Sequence, residues 1–159
     1  METFKNITYD NTPTFTFKGK KYDCKVLDIY DGDTITVAYY LEGFNYVKSN
    51  IRLMGIETPE LKGEQLNMGI NARNYLIKLL TNVNIDKEYT RKEIRQLINN
   101  SNENIINVLF LDFDKYGRPL ATLYKNGNNN GISLFVALIM VGNEWYDGLR
   151  RSIDTLVVK

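Results

Sequence analysis

Apolar and polar positions alternate with a period of two through the first third of the chain. "TFTFKGKKY" breaks at a Lys-Gly-Lys turn, "YDCKVLDIY" alternates, and "TITVAYYLEGFNYVKSNIRLMGI" carries β-branched and aromatic residues on either side of Glu42-Gly43. A period of two puts successive side chains on opposite faces of a strand, and glycine turns reverse its direction. Residues 15–53 are therefore expected to form a three-stranded antiparallel meander. The period then changes. Ala72, Tyr75, Leu76, Leu79 and Leu80 recur at i, i+3, i+4, i+7 and i+8, one apolar stripe that predicts a helix over 67–81 packed on the sheet.

Residues 86–104 are polar and Asn-rich, with Thr90 placed to cap and Ile94, Leu97 and Ile98 on one face, which predicts a short inserted helix. "NIINVLFLDFD" and "RPLATLY" predict two more strands joined by the turn "DKYGRP". "SLFVALIMVG" predicts a helix over 133–141, capped by Ser133, ended by Gly142 and apolar on every side. It is shorter than the ~18 residues a bilayer requires, so burial or a homodimer or partner surface is expected there. Residues 1–14 read as an irregular arm and 15–159 as one domain of the mainly β, α+β class, with five strands and two to three helices.

Composition narrows the chemistry. The 159 residues include no histidine and one cysteine, Cys24. Ser-His-Asp and Cys-His nucleophiles and Cys/His zinc clusters are thereby excluded, and no internal disulfide can form. Catalysis must rest on carboxylates, Lys, Tyr, Arg or a bound metal. A net charge of +1 gives no global attraction to nucleic acid, which leaves a local basic groove as the route to such a partner. No basic, then apolar, signal pattern opens the chain and no run suits a membrane span, so an intracellular protein without a membrane partner is expected.

Three clusters carry chemistry. In "DGDT", Asp31 and Asp33 project to the same side of an extended chain, and like charges so placed favour a hard cation between or beside them. "IRLMGIETPE" supplies Arg52, Glu57 and Glu60 around the stiff Thr58-Pro59 turn. "DKYGRP" offers Lys115, Tyr116 and Arg118, where guanidinium grips phosphate and an aromatic ring stacks on a base. Taken singly, each also reads as a plain solvated turn.

Their order is what distinguishes them. "DGDT", "RLMGIETPE", a helix opening "GINA", "DKYGRPLA" and an apolar helix ending in glycine together resemble the staphylococcal nuclease-like (thermonuclease) family over residues 22–148. The resemblance implies a five-stranded oligonucleotide-binding (OB-fold) β-barrel. It also implies a calcium-dependent nuclease that hydrolyses DNA and RNA by water attack on phosphorus and leaves 3′-phosphates. By the same resemblance, Asp33, Glu57 and the Thr58 carbonyl hold calcium with Asp31 behind them. Glu60 orients or deprotonates water, Arg52 and Arg118 hold the phosphate, and Lys115 and Tyr116 line the pocket for a single-stranded DNA or RNA substrate. Trp145 and Tyr146 are further candidates for a ring beneath the base.

Two departures matter. Glu57 stands where the family usually has aspartate, which opens the site to magnesium or manganese. The 86–104 insertion could edge the groove with Lys87, Arg91, Lys92 and Arg95, although a basic helix face of that kind is more often simply solvated. The alternative function is a non-catalytic OB-type module that binds nucleic acid or protein; a calcium-stabilised structural domain gives no reason for Arg52 and Arg118.

Overall fold

The computed structural model describes residues 4–124. The apolar helix expected at 133–141, the surface it would offer, and Trp145 and Tyr146 lie outside the described residues. Five strands form: β1 (Lys21–Ile29), β2 (Thr34–Leu41), β3 (Asn45–Leu53), β4 (Ile105–Phe113) and β5 (Pro119–Tyr124). They close into a barrel in the order β1-β2-β3-β5-β4, an OB-like arrangement in a mainly β, α+β chain. Four of the five neighbour pairs are antiparallel, and closure comes from a parallel pair, with Arg52 opposite Leu120 and Leu53 opposite Ala121.

Alternation supplies the barrel interior. Ile35, Val37 and Tyr39 from β2 meet Ile51 and Leu53 from β3 and Ile106, Val108 and Phe110 from β4, all nearly or fully buried. Helix α1 (Leu66–Thr81) buries Ala72, Leu76, Ile77 and Leu80. Ile77 lies beside the expected stripe and widens the buried face. Helix α2 (Arg91–Asn100) is the insertion, seated against β1 through Ile94 and Ile98. Its start is fixed by a reciprocal cap: Thr90 Oγ1 accepts from the Glu93 amide, and the Glu93 carboxylate accepts from the Thr90 amide. Among the described residues no helix is long and apolar enough to cross a membrane.

Two details differ from simple alternation. The first strand begins at Lys21 rather than Phe15. Phe17 packs against Tyr39, Phe110 and Phe113 as a ring cluster over the barrel mouth, while Phe15 stays exposed, so this alternating pair makes side-chain contacts without joining a ladder. The second is a bulge in β1. Val26 faces Val37 and Asp28 faces Thr36, so one extra residue sits on β1. Counting by twos would send Asp28 inward with Cys24 and Val26. The bulge instead places Ile29 in the core and brings Asp28 against α2, where Arg91 and Arg95 meet it.

Candidate active site

One end of the barrel gathers the loop after β1, the chain leaving β3 and the β4–β5 turn around a cavity of about 550 Å³. Asp31 and Asp33 enter from the first loop. Arg52, Glu57, Thr58 and Glu60 come from the second segment, and Lys115, Tyr116 and Arg118 from the turn. All nine residues singled out in the sequence line this cavity.

The loops meet by close packing. A Cβ on Gly32 would lie 2.6 Å from the Thr58 methyl and 2.9 Å from Ala72 Cβ, so only glycine lets the two aspartates approach the Thr58 turn and α1 together. Gly69 has the same role a helical turn earlier in α1, where a Cβ would fall 2.6 Å from the Glu60 carbonyl oxygen and 2.8 Å from that of Pro59. The Thr58-Pro59-Glu60 segment is thereby clamped against α1.

Asp33 is the hub. It is only 7% exposed. Its Oδ2 accepts from the Thr58 amide and the Thr58 hydroxyl, each at 3.1 Å, and its Oδ1 accepts from the Thr34 hydroxyl at 3.1 Å. The Arg52 guanidinium closes the set with an ion pair to Oδ1. The Asp33 amide in turn donates to Asp31 Oδ1 at 3.1 Å. Burial, and then the charge of Asp33 beside it, push the Asp31 carboxyl above the ordinary carboxylate range.

The third segment contains a residue that its sequence did not single out. Asp114 opens the turn and accepts from the amides of Tyr116 and Arg118 through Oδ1, while its Oδ2 takes Arg118 Nε at 2.8 Å. Burial raises the Asp114 carboxyl, but the hydrogen bonds from Arg118 and Tyr116 outweigh that effect and hold it below its ordinary value. Gly117, at φ +78°, gives the turn its shape. Arg118 and Lys115 both lie over the Tyr116 ring, 5.7 and 5.0 Å from its centroid. An aspartate three residues before a glycine is a turn signature that could have marked this residue.

Hard oxygen donors suit a divalent cation such as calcium or magnesium, and Asp33, Glu57 and Thr58 all line the cavity. Arg52 pairs with Asp33, and among the described residues no three acidic, His or Cys side chains converge into a preformed metal cage. Glu57 and Glu60 are solvent-exposed, with Lys62 Nζ 3.8 Å from Glu60.

No family model matches the chain. It is similar to an uncharacterized protein of Methanocaldococcus jannaschii, 30% identical over 152 residues that take in 85% of this chain and 64% of that protein. The chain thus spans a little under two thirds of that relative's length.

Proposed function

We propose that the protein is a metal-dependent nuclease that hydrolyses phosphodiester bonds of single-stranded DNA or RNA. The observation that carries this reading is the convergence of nine residues from three chain segments on one cavity, whose lining sets Asp31, Asp33, Glu57 and Glu60 together with Arg52, Lys115 and Arg118. Solvated turns have no reason to meet in this way.

In the reaction Glu60 orients a water for attack on phosphorus and takes its proton, the new P–O bond forms, and the bond to the 5′-oxygen breaks, leaving a 3′-phosphate on one fragment and, with a proton from solvent, a 5′-hydroxyl on the other. Arg118 and Arg52 hold the non-bridging oxygens and stabilise the charge that accumulates on the five-coordinate transition state. Arg52 exchanges the Asp33 carboxylate for a phosphate oxygen, one ion pair for another. Asp114 keeps Arg118 aimed through its Nε, which leaves the outer guanidinium edge for substrate. Tyr116 and Lys115 take the nucleotide. Asp33, Glu57 and the Thr58 carbonyl would hold a divalent cation, calcium by resemblance and magnesium or manganese with the longer Glu57. When bound, it supplies charge neutralisation and a more acidic water.

A non-catalytic binding module is the second reading. The Arg52–Asp33 pair favours it, because that pair neutralises Asp33 without any metal. Incubating purified protein with single-stranded DNA and with RNA, under calcium, magnesium, manganese or chelator and beside Glu60→Ala, separates the two. Cleavage that needs a divalent cation and disappears in the variant supports the nuclease. Binding without cleavage under every metal gives the module.

A further inference from the structure

A second cavity of about 560 Å³ lies beside the first, and Thr34 lines both. Its chemistry is the inverse. Lys48, Arg91 and Arg95 stand there against one carboxylate, Asp28, a surplus of two positive charges in a chain whose net charge is +1. The insertion builds it. Arg91 Nη2 and Arg95 Nη2 converge on Asp28 Oδ2 at 2.8 and 3.1 Å, Arg91 Nη1 also donates to the Tyr30 carbonyl at 3.2 Å, and Asn99 ties α2 to the Leu27 carbonyl at 2.8 Å. Asp28 is 92% buried, and its other oxygen, Oδ1, has no hydrogen-bond partner among the described residues. Arg91 also stacks over the exposed Tyr30 ring, 4.9 Å from its centroid.

The barrel register joins the two cavities. Thr34 pairs with Arg52, Thr36 with Asn50 and Ala38 with Lys48, so Arg52, Asn50 and Lys48 follow one another at every second residue of β3, on the face opposite the buried Ile51. Two such steps span about 14 Å of strand, the reach of a short run of nucleotides. Arg52 begins that line in the first cavity, and Asn50 and Lys48 continue it into the second.

We propose that the second cavity is a phosphodiester subsite for the same single strand, in which Lys48, Arg91 and Arg95 hold the backbone of nucleotides beyond the scissile bond. It rests on the nuclease or nucleic-acid-binding reading of the first cavity and extends it. Asp28 is a positioning residue: it fixes two guanidiniums by one edge and leaves their charge to the ligand. The 86–104 insertion is thus the element that lengthens the binding track.

The test uses the full chain carrying Glu60→Gln, to block turnover, and measures equilibrium binding of dT2 and dT6 over a range of salt, with and without Lys48→Gln and Arg95→Gln together. Each cation that no longer neutralises a phosphate takes about 0.7 off the single-strand salt slope. The double variant should therefore lower the dT6 slope by about 1.4 and the dT6-to-dT2 affinity ratio by about tenfold. Lys48→Gln alone, on an exposed strand position, should give about half the slope change and guards against misfolding of the double variant. An unchanged ratio and slope, with dT2 still bound, overturn the subsite and leave the first cavity's reading standing. If neither oligonucleotide binds the parent protein, both fall.

Discussion

Asp33 and Asp28 are both nine-tenths buried, both sit near the rim of the barrel, and both face arginine, yet their surroundings differ. Asp33 has both oxygens engaged by the Thr58 and Thr34 groups and by Arg52, and it shares its cavity with Asp31, Glu57 and Glu60. Asp28 has one oxygen engaged by two arginines and, among the described residues, no partner for the other and no second acid in its cavity. Similar ion pairs thus serve opposite electrostatic ends. Around Asp33 the lining gathers carboxylates, and around Asp28 it gathers cations.

The comparison can be broken most forcefully at Arg118. Replacing it with alanine should lower turnover about 10²- to 10³-fold while the urea midpoint stays close to the parent's, because Asp114 keeps its backbone hydrogen bonds. Near-normal turnover would mean the first cavity is not where phosphate is held. Next in size, Ile98→Ala empties the fully buried position that seats α2 on the barrel, at a cost of about 2 to 5 kcal/mol readable in urea unfolding. A shift below about 0.5 kcal/mol, the usual ceiling for a surface substitution, would mean that the insertion rides on the barrel without sharing its cooperativity. Thr90→Ala should cost about 1 kcal/mol through loss of the cap, and a variant as stable as the parent would show that packing alone sets the start of α2.

The smallest effect is a pH signature. The Asp31 carboxyl is raised in the folded chain from an ordinary value of 3.8, so the folded state binds its proton more tightly than the unfolded state does. Its penalty is absent below 3.8 and grows as pH rises through the folded-state value. Asp31→Asn keeps an acceptor for the Asp33 amide and should be more stable than the parent at neutral pH, with the difference vanishing in acid. A difference of the same size at every pH would point to altered packing instead of charge.

Much of the fold was legible because the relevant signals are local. Alternation located the strands, the stripe from Ala72 to Leu80 located α1, and the Thr90 cap located α2. The first cavity was legible for a different reason: its residues lie in short, unusual runs whose order, more than their individual chemistry, resembled a known pattern. What could not be read was whatever depends on pairing. The bulge that brings Asp28 against α2 depends on pairing with β2, and its trace in the sequence is slight: two apolar residues in succession, Val26 and Leu27, interrupt the alternation. The ion pairs joining Asp28 to Arg91 and Arg95 span more than sixty positions, and the basic helix face is therefore organised by β1 and not merely solvated. Arg52 pairing with Asp33 was equally out of reach, because the resemblance assigns Asp33 to a cation and Arg52 to phosphate and gives no sign that the two side chains meet.

Closure of the barrel through the parallel β3–β5 pair has a practical consequence. Arg52 lies opposite Leu120 in that ladder, two residues past Arg118, so the backbones carrying the two arginines proposed to hold phosphate are spaced by the hydrogen bonds that complete the cylinder. Opening that seam separates the arginines as it opens the cylinder. A heat-inactivation curve should then superimpose on the melting curve of the β-sheet, leaving no temperature interval in which an intact barrel has lost its grip on phosphate.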